Sequence, residues 1–245
     1  MELLEIKIPK ATFQQLQESE QILVIQFGHA FNELTCLRKL LESVIDLETE
    51  GIERSAMVHQ SLFVSRIFVG KLHEVHEMIR KVLNSQEELS KFINSKLSDD
   101  GKKSYKLLKQ HLKKKNFLAK IRNDFSFHYS SDHLSTPGES LSEEGFVFYL
   151  CNEVHDNSYY ISSETITTEA LLRNINEEDL QSAMNKYLNE LRFVSNKTIA
   201  FLSESCETVL VEKLGASLTN YDSVSRNINP KMKLGEANMP FFIKR

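Results

Sequence analysis

Glycine and proline are scarce, with 8 and 4 among 245 residues. Both interrupt regular structure, Gly through backbone entropy and Pro through its missing N–H. Long uninterrupted helices are therefore possible. Tryptophan is absent. The three cysteines, Cys36, Cys151 and Cys206, are far apart, odd in number and form no CxxC pair. This argues against a disulfide framework or zinc ribbon and for a reducing compartment. No apolar stretch approaches the roughly 20 residues that a membrane span needs. The opening MELLEIKIPK lacks the basic region and apolar core of a signal peptide. The expectation is a soluble, cytoplasmic protein with no membrane partner. Gly-rich phosphate loops, GxSxG and HExxH are missing too, so kinase-like, hydrolase and zinc-protease readings have no support.

What is present suits a globular domain: 41% hydrophobic and 26% charged residues. A chain this long can bury a full core without disulfide or metal staples. The net charge is −4, but its distribution is uneven. Residues 102–122 hold nine Lys/Arg and no Asp or Glu, which leaves −13 on the remainder. One basic element on an acidic body is a candidate surface for an anionic partner.

Apolar periodicity predicts a mainly α fold, an antiparallel bundle of four long helices with shorter ones between them. Over 12–50, Leu16, Leu23, Phe27, Ala30, Leu34, Leu37, Leu41 and Val44 keep spacings of three and four, and Glu20 alone interrupts. Thr12 reads as its N-cap and Gly51 as its stop. Such a helix would be about 55 Å long and needs a partner of similar length or a second subunit. A second helix covers 55–83, with Ser65 and His76 at two stripe positions, and Glu74 and Glu77 continue another apolar face. Ser85 with Glu88 reads as a capping box for a short helix over 86–97. Asp99–Asp100–Gly101 breaks the chain before a basic helix over 102–124. The runs FVFYLC and YYISSETIT, rich in aromatic and β-branched residues, predict a β-hairpin inserted around 145–168. Asn176 reads as the cap of the last long helix, which ends near Lys213. Residues 1–213 then form one helical domain, and 214–245 a polar tail whose PFFIKR end can dock or stay disordered.

The stretch with the most chemistry is 121–129, IRNDFSFHY, at the end of the basic helix. RNA cleaves when its 2′-hydroxyl attacks the adjacent phosphorus. A protein speeds this with a proton carrier, a cation at the phosphate and alignment. His128 has the right pKa range to take and give a proton near neutrality. Arg122 supplies permanent charge and a bidentate fork. Asn123 can orient either group or a ribose hydroxyl. The stripe Tyr105, Leu108, Leu112, Ala119 leads to Arg122, away from the solvated lysines. A guanidinium there needs partners, for which Glu74, Glu77 or an RNA phosphate are the candidates. Tyr129 reads first as structural and second as a hydroxyl for phosphate. Lys106, Lys109, Lys113, Lys114, Lys115 and Lys120 are the candidate RNA-binding cations.

RNDFSFH at a helix end, in an all-helical setting, resembles the signature of the HEPN superfamily. That signature is an Arg, usually a polar residue such as Asn next, and four to six residues before a His. Here there are five, with Asn123 at the polar position. Similar RN…FHY runs occur in HEPN proteins of the abortive-infection type. The resemblance implies a helical bundle and a homodimer with two motifs facing across a composite cleft. It also implies metal-independent endoribonuclease activity leaving a 2′,3′-cyclic phosphate, no cofactor, and a toxin–antitoxin or phage-defence setting with a possible antitoxin protein. Arg122, Asn123 and His128 carry over directly; Glu74 or Glu77 match an acidic residue of some members loosely. The hairpin and tail depart from a minimal bundle. The alternative is a non-catalytic helical protein of the same fold that binds a partner, RNA or nucleotide. A metal site at His73, His76 and Glu77 is a weaker reading than a polar or core His pair.

Overall fold

Low Gly and Pro content and the 3.6-residue apolar stripes lead to a chain built mostly of helix. The computed structural model describes residues 2–44, 49–113, 121–123, 141, 143, 145–154, 157–173, 175–176, 179–215, 223–227 and 239–243. Of Leu112, Lys113 and Ser223 only the backbone is described. In chain order the elements are β1 (Glu2–Ile6), α1 (Lys10–Phe13), α2 (Glu18–Ser43), α3 (Gly51–Ser85), α4 (Glu87–Lys96), α5 (Asp99–Lys113), α6 (Ile161–Arg173), α7 (Leu180–Leu214) and β2 (Ser223–Asn227). Among the described residues the fold is mainly α with a small antiparallel sheet, in which Glu2 pairs with Asn227 and Ile6 with Ser223. Among the described residues no helix is long and apolar enough to cross a membrane.

Several boundaries differ from the sequence expectation, each for a local reason. The helix expected over 12–50 is interrupted at 14–17. There the Gln17 N–H donates to Glu20 Oε2 (2.9 Å) and the Gln21 amide donates to the Leu16 carbonyl (2.8 Å). These bonds cap a fresh start, so α2 is 26 residues and about 39 Å long. Gly51, expected as a stop, opens α3 with φ +62°. The Ser85–Glu88 capping box does not form: Ser85 ends α3 and bonds back to the Val82 carbonyl, and α4 starts after Gln86 without a side-chain cap. Ser98 caps α5 by accepting the Gly101 N–H (3.0 Å), which leaves the Asp pair inside the first turn. Asp179, not Asn176, caps α7 by accepting the Ser182 N–H (3.0 Å). Gly215, at φ +63°, follows α7 directly in the left-handed position that ends helices.

Of the hairpin expected around 145–168, the described residues form a single bridge. Tyr149 and Tyr159 exchange two N–H···O bonds of 2.7 and 2.8 Å. From Ile161 the chain is helical, so the second β-like run is mostly α6. Thr165 and Thr167 there turn their hydroxyls back onto the carbonyls of Ile161 and Ser163. β-branched residues favour strands chiefly through packing, which tertiary context can override.

The chain divides into two compact units. One comprises Met1–Cys36, Glu74–Lys114 and Phe193–Lys233; the other comprises Leu37–His73, Lys115–Arg192 and Leu234–Arg245. In the first, Phe201 of α7 is fully buried, stacks on Tyr105 of α5 (4.8 Å between centroids) and meets Phe27 of α2 at 6.1 Å. Here α2 runs antiparallel to α7: Glu20 meets Lys213 (2.9 Å), and Phe27 meets Phe201. Glu20 is only 4% exposed. It interrupts the apolar stripe of α2 because it pairs with Lys213 and caps its own helix. His76 and Thr198, both buried, are hydrogen-bonded at 2.9 Å.

In the second unit Tyr187 of α7 is fully buried, and Phe68, Leu171 and Leu191 are buried in the same unit. Its hydroxyl donates to Ser65 Oγ (2.8 Å), and Ser65 donates to the Leu62 carbonyl (2.7 Å). Ser65, a gap in the α3 stripe, thus serves as the acceptor that a buried tyrosine requires. Tyr187→Phe should lower stability by about 0.5–1.5 kcal/mol, measured by urea unfolding; no change would mean that the bond contributes nothing. Part of the expected polar tail docks here. The Met239 N–H donates to the Ser43 carbonyl, and the Asn157 side chain brackets Ile243 with two hydrogen bonds of 2.7 and 2.8 Å. Phe241 sets its edge on Tyr159 at 5.1 Å.

Candidate functional site

The motif begins inside helix. Residues 121–123 are helical, with Ile121 almost fully buried, Arg122 half-buried and Asn123 exposed. Ile121 anchors the backbone, so the next two side chains emerge at the rim of a packed surface. Arg122 Nη1 donates to Asn123 Oδ1 at 3.0 Å. The amide oxygen therefore holds one corner of the guanidinium fork and restricts its rotation. A fork held in this way loses less entropy when it meets a phosphate. His128 and Tyr129 lie outside the described residues, as do Ala119, Lys114, Lys115 and Lys120.

Of the acidic candidates, Glu74 is exposed on α3, and Glu77 is half-buried and ion-paired with Arg80 one turn on. An i,i+3 pair of this kind is a local surface interaction. Lys106 and Lys109 are exposed on α5. Lys109 Nζ lies 4.3 Å from the centre of the Tyr105 ring, a cation–π contact. Lys102, Lys106 and Lys109 line a shallow cleft of about 330 Å³ with Asn94, Tyr105 and Gln110. Three cations and two amides around one depression suit an oxyanion such as a phosphodiester. His76 points into its own unit, hydrogen-bonded with Thr198 and edge-on to His111 at 6.5 Å. Among the described residues no group of three His, Cys, Asp or Glu side chains is placed to hold a metal ion.

One feature has no signal in the sequence. His59 Nδ1 and the Tyr159 hydroxyl, a hundred positions apart, are hydrogen-bonded. They line a cleft of about 450 Å³ with Phe63, Arg66, Tyr160, Glu164 and Phe241. Burial, and then the Arg66 charge, pushes His59 down to about 4. Burial pushes the Tyr159 hydroxyl well above its ordinary value. Both are therefore neutral at pH 7, and the imidazole tautomer sets which of the two donates. Above the ordinary His pKa of about 6.5, neither folded nor unfolded His59 is protonated, and it contributes no pH dependence. As pH falls from there toward about 4, the unfolded chain takes up a proton that the folded chain resists, so stability falls. His59→Gln should flatten this acid-side decline in melting temperature; an unchanged profile would contradict the assignment.

Comparison of the chain with protein-family models, with curated proteins and with solved structures finds no match.

Proposed function

We propose that the protein is a metal-independent endoribonuclease of the HEPN type, acting as a homodimer with a composite cleft. The observation that carries this reading is the Arg122–Asn123 side-chain pair on the helical residues 121–123, five residues before His128. His128 takes the proton of a ribose 2′-hydroxyl as that oxygen attacks the neighbouring phosphorus. Arg122, oriented by Asn123, neutralises the charge that builds on the phosphorane oxygens. The 5′-oxygen leaves as a hydroxyl, and the other product carries a 2′,3′-cyclic phosphate. Lys106 and Lys109, with Lys113, Lys114, Lys115 and Lys120, guide the RNA electrostatically. An RNA-cutting toxin or phage-defence effector restrained by an antitoxin protein is the biological setting that this reading favours. Incubating RNA with wild type, Arg122→Ala and His128→Ala decides it: wild type cuts and both variants do not. Equal cutting by all three, or none by wild type, would refute it.

A second reading, a non-catalytic helical interaction protein, is supported by the exposed row of Phe146, Phe148, Leu150 and Tyr160. It predicts that the Arg122 and His128 variants change stability alone.

A further inference from the structure

Side chains alternate between faces in extended backbone. Around the Tyr149–Tyr159 bridge, Phe146, Phe148 and Leu150 therefore share one face with Tyr160, and Tyr149 shares the other with Tyr159. Tyr159 is buried against Phe241 and Tyr149 is half-exposed, whereas Phe146, Phe148, Leu150 and Tyr160 are 49%, 47%, 65% and 52% exposed. Phe148 and Tyr160 stack at 5.6 Å with their planes 10° apart, and Phe146 lies 6.4 Å from Phe148. Phe63 of α3, also exposed, lines the adjoining cleft with Tyr160. A contiguous row of large apolar side chains is uncommon on a monomer surface and marks an interaction site.

Charge selects the partner. Residues 123–172 contain nine Asp/Glu and no Lys or Arg, the mirror image of the basic run before them. Glu153 is exposed and Glu164 lines the cleft beside Tyr160. Arg66, which also lines the cleft, lies over the Phe63 ring at 6.0 Å. A nucleic-acid strand would find rings to stack on, but its phosphates would meet the carboxylates. A cationic side chain gains on both counts, since ring faces and carboxylates attract it alike.

We propose that the Phe146–Phe148–Leu150–Tyr160 row, with Glu164 beside it and on a stretch of sequence rich in acids, docks a Lys/Arg-rich segment of a partner protein. The partner's cations cover the stacked Phe148 and Tyr160 rings, its aliphatic stems lie along Phe146 and Leu150, and Glu164 pairs with a flanking charge. This goes beyond ribonuclease activity and does not depend on it.

The probe is a short fluorescein-labelled peptide rich in Arg and Lys, titrated with the full chain and followed by anisotropy. Wild type should bind it and should not bind a Glu-rich peptide of the same length. The Phe148→Ser/Tyr160→Ser double variant should weaken binding about tenfold, the scale of two exposed cation–π contacts. Glu164→Lys should weaken it as well, and both effects should shrink as salt rises. The substituted side chains are at least part-exposed, so melting temperatures should stay near wild type; if the double variant unfolds, Glu164→Lys and the salt series decide. Four results would overturn the proposal. The basic peptide fails to bind, or the variants bind it as well as wild type does. Single-stranded RNA binding, rather than peptide binding, drops in the double variant. Sedimentation shows a wild-type dimer that the double variant breaks, in which case a second copy covers this row.

Discussion

Replacing Phe201 with Ala is expected to cost about 3–5 kcal/mol of folding stability. Phe201 is fully buried, and its ring is shared between two neighbours, Tyr105 on one side and Phe27 on the other. Truncation removes the apolar surface of a whole ring and opens a void between α2, α5 and α7. Those helices cannot close it easily. Tyr105 has Lys109 on its ring, and α2 is tied to α7 by the Glu20–Lys213 pair. Stacked and tilted aromatic pairs add to the loss beyond area alone. Phe201→Leu keeps much of the volume and should cost less than half as much. Urea unfolding followed by circular dichroism reads both; a cost near 1 kcal/mol for the Ala variant would mean that this ring is not the centre of its unit.

The second large effect concerns Arg122. Arg122→Ala should lower RNA cleavage by about 10²–10³-fold, the scale seen when one donor to a developing oxyanion is removed. Arg122→Lys should recover little. A lysine restores the charge but not the planar fork, and it cannot keep the geometry set by the hydrogen bond to Asn123 Oδ1. Asn123→Ala should fall between, since the fork survives without its orienting bond. The loss should appear in turnover with RNA binding less affected, because the lysine face is untouched. A melting curve must accompany each variant, since Arg122 is half-buried. If Arg122→Lys cuts as well as wild type, the bidentate role is excluded.

The helical class was legible because apolar residues recur at three and four positions with little Gly or Pro to interrupt them. What the pattern hid was polar. Glu20 looked like a flaw in the first stripe and is a buried, paired cap. Ser65 and His76 looked like gaps and are hydrogen-bonding partners of Tyr187 and Thr198. Such pairings join residues more than a hundred positions apart, and local spacing carries no trace of them. Gly101 looked like a breaker and sits within the first turn of α5. A Cβ there would collide with the Glu204 carboxylate, which also accepts the Ser98 N–H. The β-hairpin was half legible: aromatic and β-branched residues produced the Tyr149–Tyr159 bridge, but the Thr-rich run beyond it became α6. Of the candidate site, Arg122 and Asn123 are hydrogen-bonded through their side chains, and His128 lies outside the described residues. The His59–Tyr159 cleft could not be read in advance, because nothing in either segment marks it.

The central claim is cleavage by the ribose's own hydroxyl, and the chemical form of the products tests it most directly. Purified protein should cut RNA in the presence of EDTA, and the upstream fragment should end in a 2′,3′-cyclic phosphate with a 5′-hydroxyl on the downstream one. The same reaction with His128→Ala should leave the RNA intact. Loss of wild-type cutting on chelation, or a 3′-hydroxyl with a 5′-phosphate at the break, would contradict it.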